Sequence, residues 1–283
     1  MESGTVPFER DIQVSDAEVS NYRKSGWVRL SGVLSAAEVQ AIDTCCISAE
    51  KGESPRQGSK SPSNDSSNPF SYQTNENYRR MFRNESELRL RFPELRPLVR
   101  KLASVAKRLL DTDDIRILWD KTFTKPPAHE GTRQTVWHQD SPYVPVDRRG
   151  MLTIWIPTQQ VTAESGAMRF VPGSHRLGSL GRRDLIDGEP SLEEFLTAED
   201  LAQVGAPVTV PLSAGDITVH DGLCLHGAEP NMSDRPRRAW TCTYVPGDAL
   251  WTGAPWSITE HSNFYEYDLK PYQRFDHPDL MVE

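Results

Sequence analysis

The sequence predicts a mainly β fold with flanking helices, its core a cupin-like jelly roll, and three observations carry that expectation. From residue 115 the chain falls into short apolar or alternating runs: "IRILWDKTFT", "RQTVWH", "MLTIWIPTQQ", "AMRFVP", "APVTVPL", "DITVHDG" and "AWTCTYVP". Gly, Pro and Asn separate them, the punctuation of an antiparallel barrel or sandwich. Before residue 115 the apolar spacing is mostly helical, and no repeat of solenoid period appears anywhere.

The N-terminal layer reads helix, strand, helix. Ser15 and Ser35 stand where N-caps belong, and "WVRL" between the two helices has the aromatic and branched residues of a strand. Residues 51–69, "KGESPRQGSKSPSNDSSNP" with its neighbours, hold too few apolar side chains to offset ordering, so a surface loop is expected there rather than a lid. In "ELRLRFPELRPLVRKLASVAKRLL", Leu98, Leu102, Val105 and Leu109 recur at helical spacing, a core-packing stripe. The expected organisation is one domain over residues 1–283. It comprises a largely helical layer (1–114), a jelly-roll core (115–245) and a C-terminal cover (246–283), in which Trp251, Trp256, Phe264 and Tyr265 pack or close the barrel mouth.

Composition narrows the function classes. The 37% hydrophobic and 25% charged residues are those of a soluble globular protein, and a formal net charge of -8 argues against nucleic acid or an anionic membrane as partner. No apolar run approaches the roughly 20 residues that span a bilayer, and "MESGTVPFERD" lacks a basic lead, so a cytoplasmic location is expected. The four cysteines include the adjacent Cys45 and Cys46 and show no C-x-x-C spacing, so reduced, buried thiols are expected rather than a zinc site or a disulfide. A small-molecule substrate remains, and nothing in the sequence sets the oligomeric state.

Of the seven histidines, only His138 in "TVWHQDSPYVP" and His277 in "DHPDLMVE" open an H-x-D triplet. Residues two apart on a strand share a face, so His138 and Asp140 can converge on one ion while Gln139 turns away. The C-terminal triplet has Pro278 inside it and four residues after it, leaving neither a strand nor a partner. A third ligand comes from "GDITVHDGLCLHGAEPNMSDRPRRAW", where His226 follows an apolar run and His220 is its rival. Two imidazoles and one carboxylate leave neighbouring positions of an octahedral ion open, which suits iron(II) taking a chelating cosubstrate and oxygen together. Zinc favours a more closed tetrahedron. Arg237, opening the strand in "DRPRRAW", can present a guanidinium fork to a dicarboxylate, and strand alternation favours it over Arg238.

"HQD", "ESGAMRFVPGSH" and "HGAEPNMSDRPRRAW", with the opening "YRKSGWVRLSGVLSAAEV", resemble the phytanoyl-CoA dioxygenase family of iron(II)- and 2-oxoglutarate-dependent oxygenases over most of the chain. The resemblance implies a double-stranded β-helix, iron(II) on His138, Asp140 and His226, and 2-oxoglutarate on Arg237, with O2 as the second cosubstrate. It also implies cosubstrate contacts from Trp155 and Lys121, for which packing and a solvated surface are the alternatives. Where some members carry Ser two places after the distal histidine, this chain has Ala228. Halogenating relatives replace the carboxylate by a small residue, so Asp140 favours oxygenation.

The expected reaction is oxidation, foremost hydroxylation, of an unactivated carbon of a small specialised metabolite, with release of succinate and CO2. Gln139 and Tyr143 are the candidate substrate contacts, with hydrogen bonding at the strand end as the alternative. His175 of "PGSH" is expected to hold a turn and His129 to be exposed. Two competing classes keep the barrel: a redox-inert metal-dependent isomerase or hydrolase, and a non-catalytic binding protein.

Overall fold

A computed structural model of the chain describes residues 11–53, 76–182, 191–254, 267 and 269–282. Helix α1 (Asp16–Ser25) and helix α2 (Ala36–Glu50) begin as expected: the Ser15 and Ser35 hydroxyls accept from the backbone N–H of Glu18 and Glu38, and both glutamates reach back to the cap. Gly26, at φ 79°, ends α1 in the left-handed region and lets strand β1 (Trp27–Leu30) start at once. Short helices α3 (Glu76–Met81) and α4 (Leu88–Arg91) follow, then α5 (Arg96–Leu110), whose stripe Leu98, Leu102, Val105 and Leu109 is buried throughout. Each such side chain contributes about 2 kcal/mol of transfer free energy.

Among the described residues eight strands follow: β2 (Ile115–Lys125), β3 (Thr135–His138), β4 (Leu152–Pro157), β5 (Met168–Phe170), β6 (Val208–Val210), β7 (Ile217–Asp221), β8 (His226–Ala228) and β9 (Arg237–Pro246). Helices α6 (Leu192–Phe195) and α7 (Ala198–Gln203) lie between β5 and β6. The strands form two antiparallel sheets, a five-stranded one ordered β1-β7-β4-β9-β2 and a four-stranded one ordered β3-β8-β5-β6. The N-terminal layer is therefore not only a helical cover, because β1 adds an edge strand to the larger sheet through pairing with β7.

The five-stranded sheet has one face against α2 and α5 and the other toward the second sheet. Ile154, Ile217, Val219, Trp240 and Tyr244 share the helix-side core with Ile42, Leu98 and Leu102. On β2 the choice of face changes partway: the register with β9 slips between Ile117 and Trp119, a bulge that shifts the side-chain parity by one. Before it, Ile115 and Ile117 join the helix-side core; after it, Asp120 and Thr122 face the helices, and Trp119, Lys121 and Phe123 line the cavity between the sheets.

Asp120, fully buried, accepts from Trp240 Nε1 at 2.9 Å, from the Arg89 backbone at 3.1 Å and from Arg89 Nη1 at 2.6 Å. Glu87 pairs with the same guanidinium. Lys101 of α5 meets both carboxylate oxygens of the buried Glu38 at 2.8 and 3.0 Å, so the helices are tied to each other as well as to the sheet.

The cysteines Cys45, Cys46, Cys224 and Cys242 are all free and buried, and burial beside Glu94 pushes the Cys45 thiol up to about 12. Among the described residues no helix is long and apolar enough to cross a membrane. Trp251 is buried in the C-terminal cluster with Phe275 and Leu280. Trp256, Phe264, Tyr265 and all but the first three residues of 51–69 lie outside the described residues.

Removing Asp120 leaves Arg89 buried with half of its compensating charge. Asp120→Ala is expected to lower the unfolding free energy by about 3 kcal/mol or more in a urea titration. A loss below about 1 kcal/mol would show that Glu87 alone neutralises the guanidinium.

Candidate active site

His138 closes β3 and His226 opens β8, and the two are register partners on adjacent strands of the smaller sheet. Their rings lie 4.2 Å apart. The strands approach closely because β8 carries Gly227, where an added Cβ would stand 2.7 Å from the Thr135 carbonyl oxygen. Asp140 follows β3 at the start of the short turn Ser141–Tyr143, and its Oδ1 lies 3.6 Å from Nε2 of each histidine. One ligand atom from each of the three residues falls within 4.8 Å of the others, the spacing of a metal cradle.

The local backbone sets the tautomers. His138 Nδ1 is 2.8 Å from the Val136 carbonyl and His226 Nδ1 is 2.9 Å from the Cys224 carbonyl. A carbonyl only accepts, so both Nδ1 atoms carry the proton and both Nε2 lone pairs face Asp140. Burial lowers the pKa of each imidazole and keeps it neutral, while Asp140 works only partly against this. Burial alone would raise the Asp140 carboxyl, but His226, His220 and His138 hold it well below the usual range. Two lone pairs and a carboxylate thus converge with no positive charge among them, and a divalent cation is the species that resolves the arrangement.

The larger sheet supplies the opposite wall of the cavity. By alternation Trp119, Lys121 and Phe123 of β2, Thr153 and Trp155 of β4, His220 of β7, and Arg237, Thr241 and Thr243 of β9 face inward, joined by Phe82 from beyond α3. Arg237 is 2% exposed and makes no hydrogen bond or ion pair among the described residues; its guanidinium sits 5.2 Å from the Trp155 ring centre. Desolvation lowers its pKa to about 10. Its neighbour Arg238 turns to the other face and meets Glu50 at 3.1 Å.

Lys121 stands over Trp119 at 5.1 Å, and burial lowers its ammonium to about 8 against the opposing pull of Glu87 and Asp140. Lys125, directly across from Arg237, is fully buried and donates to the Arg133 carbonyl at 2.6 Å. Gly166 of "ESGAM", at φ 78°, makes room for it: a Cβ there would lie 2.8 Å from the Glu229 carbonyl oxygen and 3.0 Å from Lys125 Cδ.

Other residues singled out by the sequence fall outside the cavity lining. Gln139 is fully buried and spends its amide on the backbone, with Nε2 donating to Gly178 O at 2.8 Å and Leu223 O at 2.7 Å, and Oε1 accepting from Leu180 N at 2.7 Å. That bracing corrects the expectation of a substrate contact, since no polar atom of Gln139 is left over. Tyr143 is buried with its ring 6.4 Å from that of His138, flanking the histidine rather than lining the cavity.

In the "PGSH" block, Ser174 Oγ donates to Val171 O and accepts from Leu225 N, both at 2.7 Å, which fixes the backbone just before His226. His175 Nε2 is 3.1 Å from the Arg23 carbonyl, tying the turn to α1, and His129 is exposed. His277 accepts from Asp279 N at 3.2 Å and stacks on Tyr267, so the second H-x-D triplet caps a short turn. Ala228 is buried in β8 opposite Thr135 and Met168. Trp119, Phe123, Thr153, Thr241 and Thr243 were not singled out from the sequence, although alternation from Lys121, Trp155 and Arg237 points to each of them.

The profile of the family described as phytanoyl-CoA dioxygenase (PhyH) matches residues 22–239. A probable alpha-ketoglutarate-dependent hypophosphite dioxygenase of Stutzerimonas stutzeri is 29% identical over 185 residues, 63% of this chain and 60% of that protein. Phytanoyl-CoA dioxygenase domain-containing protein 1 of Rattus norvegicus is 30% identical over 123 residues, 42% of each chain. The matched segments therefore span less than two thirds of these relatives.

Among solved structures, the non-heme alpha ketoglutarate dependent carbocyclase SnoK from nogalamycin biosynthesis is 26% identical with a TM-score of 0.70, covering 95% of this chain and 96% of its own. The epimerase SnoN in complex with Fe3+, alpha ketoglutarate and nogalamycin RO superposes with a TM-score of 0.72 over 94% of this chain and 96% of its own, at 23% identity, a likeness of fold.

The unpaired Arg237 guanidinium is a cost to the ligand-free protein. Arg237→Met, which keeps much of the packing against Trp155, is expected to melt no lower than the parent protein in a ligand-free thermal scan. A drop of several degrees would show that the guanidinium already has a stabilising partner.

Proposed function

This chain belongs to the phytanoyl-CoA dioxygenase (PhyH) family of iron(II)- and 2-oxoglutarate-dependent oxygenases, and from that premise we propose that it hydroxylates an unactivated carbon of a small organic metabolite. The single observation that carries the reading is the convergence of His138, Asp140 and His226 in a cavity that also holds the unpaired Arg237. In this reading the two sheets form a jelly-roll core within one catalytic domain. The chemistry conserves atoms: substrate C–H, O2 and 2-oxoglutarate give C–OH, succinate and CO2.

His138, Asp140 and His226 would hold iron(II), which when bound supplies the activation of oxygen coupled to 2-oxoglutarate decarboxylation. The protein's own residues do the placing. Val136 and Cys224 carbonyls hold the two Nε2 lone pairs toward the shared point. Arg237 presents N–H donors to the far carboxylate of 2-oxoglutarate, a charge-assisted contact in a desolvated pocket. Trp155 lies against the guanidinium and closes one side of its pocket, and Lys121 offers a second positive group in the same cavity.

Phe82, Trp119 and Phe123 give the cavity an aromatic wall that suits a carbon skeleton rather than a small inorganic anion. The 26% identity to a carbocyclase from nogalamycin biosynthesis supports a specialised metabolite as substrate. Tyr143, beside His138, is kept as a candidate that shapes the substrate side.

Anaerobic titration of the protein with iron(II) and 2-oxoglutarate is expected to raise a visible charge-transfer band, and His226→Ala to abolish it. Arg237→Ala should need at least about 30-fold more 2-oxoglutarate, the effect of removing one member of a buried ion pair. Admitting oxygen and substrate should release succinate. A parent protein without the band, or an Arg237→Ala variant with unchanged demand for 2-oxoglutarate, would overturn the assignment.

A further inference from the structure

Asp140 divides its two oxygens between the two sheets. Oδ1 faces His138 and His226 of the smaller sheet at 3.6 Å each, whereas Oδ2 meets residues of the larger sheet: Thr153 Oγ1 at 3.0 Å and His220 Nε2 at 3.2 Å. Thr153 and His220 are register partners on β4 and β7, and Thr243 of β9 is the register partner of Thr153 on its other side. A polar row thus runs across the inner face of the larger sheet and ends on the far oxygen of a carboxylate carried by the other sheet.

The proton directions in this row are determined. A carboxylate only accepts, so Thr153 spends its single hydroxyl proton on Oδ2, and the 3.1 Å contact between Thr153 and Thr243 requires Thr243 to donate. His220 must likewise carry its proton on Nε2. Its Nδ1 is buried without a partner among the described residues, and its ring is packed 4.3 Å from that of His226 and 5.5 Å from that of Phe170. Among the described residues no other polar contact competes for the imidazole, which is 1% exposed. His220 also stays outside the cradle: the described ligand atoms lying within 4.8 Å of one another belong to His138, Asp140 and His226.

We propose that His220 is a positioning residue that, with Thr153, holds Oδ2 of Asp140 away from the metal and so enforces one-oxygen ligation by the carboxylate. The inference rests on His138, Asp140 and His226 being the ligands. Its consequence is a count of open positions. A carboxylate free to swing can place both oxygens on one ion and occupy a position needed by 2-oxoglutarate or oxygen. One anchored through its second oxygen cannot. Second oxygens of ligand carboxylates are commonly held in this way, and such partners tune metal affinity by about 10- to 100-fold.

The test uses cobalt(II) alone as probe, on the whole purified protein, without 2-oxoglutarate or turnover. His220→Leu is expected to weaken cobalt(II) binding at least about 10-fold and to change the visible absorption of the bound ion as its coordination changes. His220→Gln, whose amide N–H can reach the same oxygen, should restore the parent spectrum and bring affinity back to within a few-fold. Thr153→Val removes the other donor at nearly constant volume and is expected to act in the same direction, less than additively with His220→Leu.

Thr153→Val also answers the question if His220→Leu fails to fold. Parent-like cobalt(II) affinity and spectrum in His220→Leu would overturn the role of His220, and where the leucine variant does not fold, parent-like behaviour of Thr153→Val together with His220→Gln would overturn the anchoring of Oδ2. A leucine phenotype that glutamine does not relieve would also overturn it, by making the effect one of packing. A parent protein that binds no cobalt(II) would overturn the ligand assignment instead.

Discussion

The constraint on which this molecule depends is the alternation of side chains along the five-stranded sheet, and on β2 and β9 above all. Each of these strands serves two environments. Trp240, Cys242 and Tyr244 of β9 lie in the apolar core against α2 and α5, while Arg237, Thr241 and Thr243 line the cavity. A slip of one residue would place a guanidinium in the helix-side core and an indole in the cavity, so the register is fixed by both faces together. The bulge after Ile117 is what allows β2 to obey the same rule. It sends the buried acid Asp120 to Arg89 and Trp240 on one side and Lys121 to the cavity on the other. Core and site are two sides of one ladder.

Much of this was legible in the sequence because it follows from local rules. Ser15 and Ser35 were readable as caps since the glutamates three residues on complete the reciprocal hydrogen bonds. The preference for Arg237 over Arg238 required only alternation, and the structure puts Glu50 on Arg238 and, among the described residues, no anion on Arg237. The proline inside His277–Asp279 was enough to separate that triplet from the one at His138. His226 is preferred to its rival His220 as the third candidate ligand because it alone fits the register of Arg237, and the family resemblance implies the same choice.

What stayed hidden is non-local. Strand β8 is three residues long and shows no alternation of its own; it exists because β3 and β5 flank it and Gly227 lets β3 come close. Helices α3 and α4 are too short to carry a periodic signal. Gln139 beside the ligands invited a substrate role, yet its three partners, Gly178, Leu180 and Leu223, belong to loops distant in sequence. The helical appearance of the N-terminal layer hid the use of β1 as an edge strand. In each case the deciding partner lies many residues away, where no propensity or motif reaches.

The cavity also explains why its polar groups are arranged as an incomplete set. Two imidazole lone pairs and the Asp140 carboxylate face one another, and Lys121 and Arg237 line the same cavity, buried without an acid in contact among the described residues. These opposite surpluses are held apart by the sheet rather than allowed to collapse into ion pairs, and the low local dielectric enlarges the cost of each. A lone cation would satisfy only the first surplus and a lone dicarboxylate only the second. A dicarboxylate that also ligates the cation answers both at once, so each partner makes the site more favourable for the other. That coupling is a property of the fixed charges, and it accounts for the bracing around them: Ser174 and Gln139 hold the backbone near His226, Thr153 and His220 hold Asp140, and Trp155 flanks Arg237.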